Sequence, residues 1–126
     1  MNETREKTFE CSKEGMIECQ KYLASICESP RSQIIMDEIV SNIVRCSGAH
    51  EFTVRFDNRD PDDVVAMTFI DAGKPFDPTK EIAEPDVTAG VEERGIGGLG
   101  MFMVRKMAKS VSYRRENDRN VLSVQL

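Results

Sequence analysis

The chain has no tryptophan and a single histidine, His50, among its 126 residues. One imidazole leaves a His-rich metal centre or a Ser-His-Asp triad with little to draw on. A metal held through oxygen ligands stays open. The four cysteines, Cys11, Cys19, Cys27 and Cys46, contain no C-x-x-C pair. Three of them fall at apolar positions of helical patterns, so they read as buried reduced thiols rather than a disulfide framework. No apolar run approaches the ~20 residues of a membrane span, and the opening MNETREKTFE is not a signal peptide. Both absences favour the cytoplasm. There is no basic stripe either: the formal net charge is −5, which argues against nucleic acid as a direct partner. Internal repeats and low-complexity tracts are also missing.

What is present is the composition of an ordinary globular protein, 40% hydrophobic and 31% charged. Its length fits one domain spanning residues 1–126, able to bury roughly two-thirds of its unfolded surface. The first ten residues are charged and read as frayed, with Phe9 and Cys11 starting at most a short edge strand. From Lys13 to Glu28, Met16, Cys19, Leu23 and Ile26 recur at steps of three and four, which predicts an amphipathic helix. Ser29-Pro30 reads as an N-cap with proline at the first helical position, opening a second helix that Gly48 stops. EFTVRFD alternates as a half-buried strand, NRDPDD is a turn, and VVAMTFI is a second strand ending at Asp71, together a hairpin. MFMVRKMAK predicts a third helix with Phe102, Met103 and Met107 inward. VSYRRE and VLSVQL, joined by NDRN, predict a final hairpin. Strands arriving as hairpins build a mixed, mostly antiparallel sheet, and three helices cover one face. The expected fold is α+β, a two-layer sandwich.

The stretch ERGIGGLGMF packs four glycines into six positions, and Gly95-x-Gly97-x-x-Gly100 matches a dinucleotide fingerprint. That fingerprint follows a strand and opens a βαβ unit. Here the preceding KEIAEPDVTAGVEE is polar and broken by Pro85 and Gly90. A protein-kinase glycine loop needs a catalytic loop and a metal-binding Asp downstream, and only 26 residues follow Gly100. Both readings fail for want of room. What remains is a row of backbone N–H groups at a helix N-terminus, an arrangement that suits phosphate oxygens. The two dozen residues from Asp71 to Arg94 form a loop long enough to be functional.

Two further features accompany the glycines. In DEIVSN, Glu38 and Asn42 stand at i and i+4, side by side at the edge of the helix's apolar arc. In DAGKPF, a strand ends in Asp71 and turns through Gly73, Pro75 and Phe76. Taken singly, each has a plain reading: a polar fringe, a strand-ending turn, a flexible connector. Jointly, and in this order, they resemble the ATP-binding fold of DNA gyrase, the heat-shock chaperone ATPase, sensor histidine kinases and MutL, the GHKL superfamily (the Bergerat, or histidine-kinase-like ATPase, fold). The short chain, the N-terminal helical pair, DAGKPFDP and GGLGMFMVRKM look like the anti-sigma factor serine kinases within it. The resemblance runs from about Glu14 to the end. Two departures stand out: Pro75 replaces the second glycine of the usual D-x-G-x-G turn, and Cys46 stands where many relatives carry histidine.

The resemblance implies roles for particular residues. Asn42 matches the ligand whose amide oxygen holds Mg²⁺ against the ATP phosphates. Glu38 matches the catalytic carboxylate that orients or deprotonates the attacking hydroxyl. Asp71 matches the acceptor for the adenine amino group, and Gly73 the glycine that lets backbone approach the base. Gly98 and Gly100 match the glycines that contact phosphate, and Ser123 a hydroxyl near the adenine. Arg94 is a candidate cation for the γ-phosphate, while Lys106 reads as solvated surface.

It also implies an ATP- and Mg²⁺-dependent serine/threonine protein kinase acting on a small anti-anti-sigma (STAS-like) partner, with a sigma factor as a further partner and homodimerisation by analogy. The alternative is an ATP-sensing binding module of the same fold without turnover. A detached histidine-kinase catalytic domain fits less well, because no phosphoacceptor histidine helix is present and His50 lies in the wrong place for one.

Overall fold

The computed structural model describes residues 3–27, 29–60, 63–81 and 98–126. Among these residues the chain order is β1 (Glu3–Glu10), α1 (Lys13–Ile26), α2 (Pro30–Cys46), β2 (Glu51–Asp60), β3 (Asp63–Asp71), a 3₁₀ turn (Pro78–Glu81), α3 (Gly98–Met107), β4 (Ser110–Glu116) and β5 (Arg119–Gln125). The strands form one sheet in the order β1-β2-β3-β5-β4. Every described pair is antiparallel, so the parallel element of the expected mixed sheet is absent among the described residues. Three helices and this sheet make the expected two-layer α+β sandwich.

The local signals of α2 hold. The Ser29 hydroxyl accepts from the Ser32 N–H at 3.2 Å, Pro30 occupies the first turn, and Gly48 follows the helix at φ +72°. That left-handed backbone suits glycine and ends the helix. Between the layers, Leu23, Cys19, Ile35, Met36 and Ile39 of the helices meet Phe52, Val54, Phe56, Met67 and Phe69 of the sheet, all buried. Burying each large apolar side chain contributes roughly 1.5–3 kcal/mol. The Cys19 thiol lies 3.4 Å from the Met36 sulfur, and burial first, then the Asp37 charge, pushes it up to about 12. All four cysteines are free; Cys19 and Cys27 are buried as expected, while Cys11 and Cys46 are half-buried.

Two expectations change. The N-terminal residues form a full edge strand rather than a frayed segment, anchored by its one buried apolar side chain, Phe9. Phe9 stacks on Phe52 and meets Tyr22 edge-on, and Lys7 lies over both Phe9 and Tyr22. On the opposite face, Thr4 donates to Asp57 and the Thr8 and Thr53 hydroxyls pair, each at 2.8 Å. Charges on an edge strand also discourage pairing with another chain. In α3 the inward residues are Met101 and Val104, while Met103 is 45% exposed and Phe102 half-buried beneath Lys106. The helix begins at Gly98, and its phase from there turns Met101 and Val104 to the core. Finally, the β4–β5 turn takes two residues, Asn117 and Asp118, both at positive φ. This is the tight hairpin geometry that matches strand twist.

Candidate functional site

Between α2, the end of β3 and the β4–β5 hairpin lies a small cavity of about 20 Å³, partly open at its mouth. Apolar walls come from Ile39, Ile43, Phe69, Phe76 and Leu122, and the polar residues are Asn42, Ser47, Asp71, Tyr113 and Asn120. Four of those polar residues are almost wholly buried: Ser47 (2% exposed), Asn42 (4%), Asn120 (5%) and Asp71 (6%). Polar side chains at that depth require partners, and their partners define the site.

Asp71 ends β3, where strand parity turns it inward with Met67 and Phe69. Its Oδ1 accepts from the Gly73 N–H at 2.9 Å and from Asn120 Nδ2 at 3.0 Å. Both bonds fall on the same oxygen, and Oδ2 takes neither. Gly73 is buried because the turn presses onto the end of α2. The Lys74 N–H donates to the Ser47 carbonyl at 2.9 Å, and a Cβ on Gly73 would overlap that same carbonyl. The Cys11 thiol lies nearby. Burial and then the Asp71 charge raise its pKa, against a hydrogen bond with Ser47.

On α2, Glu38 and Asn42 stand one turn apart, as their spacing requires. Glu38 leans on the first turn of α3: a Cβ placed on Gly100 would overlap its Oε2. A carboxylate there is favoured by the helix dipole. Asn42 turns to the cavity, and its Oδ1 accepts from Arg45 Nη2 at 2.5 Å. Gly98 begins α3. Arg94, together with Gly95 and Gly97 of the glycine run, lies outside the described residues.

Ser123 is a correction. It pairs in register with Thr68 and Ser112, which places it on the sheet face away from the helices. The β5 residues at the cavity are Asn120 and Leu122. Side chains alternate along a strand, so a one-residue error reverses the face.

Four residues that bond within the site carry roles the sequence did not predict. Asn120 is a hub: besides Asp71, its Nδ2 donates to the Lys74 carbonyl at 2.9 Å. Its Oδ1 accepts from the Phe76 N–H at 3.2 Å, the Tyr113 hydroxyl at 2.6 Å and Arg115 Nη1 at 3.1 Å. Arg115 also donates to the Gly73 carbonyl at 2.8 Å. Nothing local in RNVLSVQL marks Asn120, and Tyr113 and Arg115 are equally unmarked. Arg45 did carry a signal, a cation three residues beyond Asn42 on the same helical face.

Among the described residues no group of three or more His, Cys, Asp or Glu is placed to hold a metal, and no helix is long and apolar enough to cross a membrane. No curated protein matches the chain. Residues 15–126 match the family model described as histidine kinase-like ATPase domain. The chain therefore belongs to the histidine kinase-like ATPase domain family, within the GHKL superfamily, whose domain is an ATP-binding one.

Proposed function

We propose that this protein is an ATP-dependent serine/threonine protein kinase of the anti-sigma type, which phosphorylates a small anti-anti-sigma (STAS-like) partner and so regulates transcription by partner switching. The observation that carries the reading is the placement of Glu38. Its carboxylate sits on the first turn of α3, one helical turn from the buried amide of Asn42.

Three observations fit ATP with Mg²⁺. Asp71 presents a buried carboxylate to an apolar cavity, with Oδ2 free of the two bonds that hold Oδ1. The Asn42 amide oxygen already carries a cation, the Arg45 guanidinium. The start of α3 accommodates an anion, the Glu38 carboxylate. ATP supplies the γ-phosphoryl group when bound, and Mg²⁺ offsets its charge. With both bound, Asp71 would accept from the adenine amino group, and Asn42 would lend its amide oxygen to the ion. Glu38 receives the proton of the partner's serine hydroxyl at its carboxylate. The serine oxygen bonds to the γ-phosphorus as the bond to the β–γ bridging oxygen breaks, and ADP leaves. Such catalysis rests on positioning and charge.

The test is transfer from labelled ATP to a candidate anti-anti-sigma protein. Glu38→Ala and Asn42→Ala should each abolish transfer while leaving the melting temperature near that of the parent chain. Undiminished transfer in both variants removes the proposed site. One observation favours the second reading, a non-catalytic ATP sensor: the Arg45 guanidinium donates to the Asn42 oxygen that a metal ion would need. A sensor would bind ATP and leave the partner unlabelled.

A further inference from the structure

The base-recognition end of the cavity is assembled by the β4–β5 hairpin, through one side chain. Asn120 makes five hydrogen bonds: one to Asp71, three to backbone groups or side chains that fix the 73–76 turn and β4, and one from Arg115. Its amide is the only described side chain that donates to the Asp71 carboxylate. Arg115 doubles the link by reaching the Gly73 carbonyl. The Asp71 side chain, the Asn120 amide and the 73–76 turn are thereby locked as one unit.

That unit has a consequence for which purine it accepts. A carboxylate oxygen is an acceptor only. Held rigid, it welcomes the 6-amino donor of adenine and meets a 6-oxo group with acceptor against acceptor. A site built on a buried hydrogen bond rejects the analogue lacking the donor, provided its own group cannot swing away. Asp71 is kept from swinging by Asn120.

We infer that Asn120, seconded by Arg115, is the positioning residue that makes this site select 6-aminopurine over 6-oxopurine triphosphates, acting through Asp71. The inference rests on the ATP reading above and adds to it the element that sets base selectivity. Neither residue touches the reacting phosphate.

The experiment measures binding of ATP and of inosine triphosphate, each with Mg²⁺, to the full chain by calorimetry, for the parent, Asn120→Leu and Arg115→Met. The selectivity ratio is the informative readout, since general loosening of the fold weakens both nucleotides alike. Asn120→Leu should lower the ATP-over-inosine preference by about tenfold or more, and Arg115→Met by about threefold. Arg115 is exposed, so Arg115→Met tests the inference even where Asn120→Leu fails to fold. A folded Arg115→Met or Asn120→Leu chain that binds ATP more weakly but keeps the parent ratio overturns the inference alone. A parent chain that binds neither nucleotide overturns the ATP reading and this inference together.

Discussion

The carboxylate of Glu38 on α2 occupies the space that a side chain on Gly100 of α3 would need. One residue's absent Cβ thus sets where the other's charge rests, and the two helices meet at the point where transfer is proposed to occur.

Gly100→Ala tests that relationship. The overlapping atom is the far end of a flexible side chain, so the fold gives way cheaply, and alanine adds helix propensity of up to about 1 kcal/mol. The melting temperature should stay level or rise. Phosphoryl transfer should fall by about tenfold or more, because Glu38 is pushed out of register with the hydroxyl. Melting curves and transfer rates on the same preparation check both halves.

Arg45→Met removes the cation from the Asn42 amide oxygen, 2.5 Å away. The freed oxygen and the lost positive charge should both favour a divalent ion. Mn²⁺ titration followed by electron paramagnetic resonance should show tighter binding in the variant, about threefold to tenfold. Unchanged Mn²⁺ affinity would mean that the Arg45–Asn42 bond does not hold in solution.

Asp37, beside Glu38, supplies a pH test. Burial raises its pKa above the ordinary 3.8, against hydrogen bonds from Gln20 and Gln33 that lower it. The folded chain then binds a proton at a pH where the unfolded chain has released it. Its contribution to stability is fully present below the unfolded pKa and is lost as pH rises through the folded one. Asp37→Asn should therefore raise the melting temperature at neutral pH. The gain should shrink as pH falls through the folded-state pKa, and vanish near the ordinary value.

Asn58 is buried on β2, and neither of its amide atoms has a hydrogen-bond partner among the described residues. An unsatisfied amide costs about 1–3 kcal/mol, and an apolar group of similar shape avoids it. Asn58→Leu should raise the denaturation midpoint in urea without changing its slope.

Much of this was legible in the sequence because it is local. Glu38 and Asn42 share a face by helical spacing, Asp71 ends an apolar strand, and Ser29-Pro30 starts a helix. The misses are those that depend on register or on distant partners. Ser123 and Asn120 lie three residues apart in a strand whose apolar residues run Val121-Leu122 and then Val124, so the pattern fixes no parity. Val121 confuses it further: it faces the open side of the sheet, in a basin shared with Arg55, Arg114 and Arg119, yet is buried, consistent with arginine stems covering apolar surface. The α3 face was misjudged because its phase depends on where the helix begins. Asn120 meets Asp71, and Arg115 meets Gly73, from more than 40 residues away, and no short-range pattern records such a meeting.

The most direct measurement is ATP binding by Asp71→Asn, with Mg²⁺ present. The substitution keeps an Oδ1 acceptor for Gly73 and Asn120 and places an amide donor where the adenine amino group should approach, so the fold survives while donor faces donor. The parent chain should bind ATP, and the variant, with unchanged melting temperature, should bind it about a hundredfold more weakly. ATP binding by Asp71→Asn as tight as the parent's would contradict adenine recognition by Asp71.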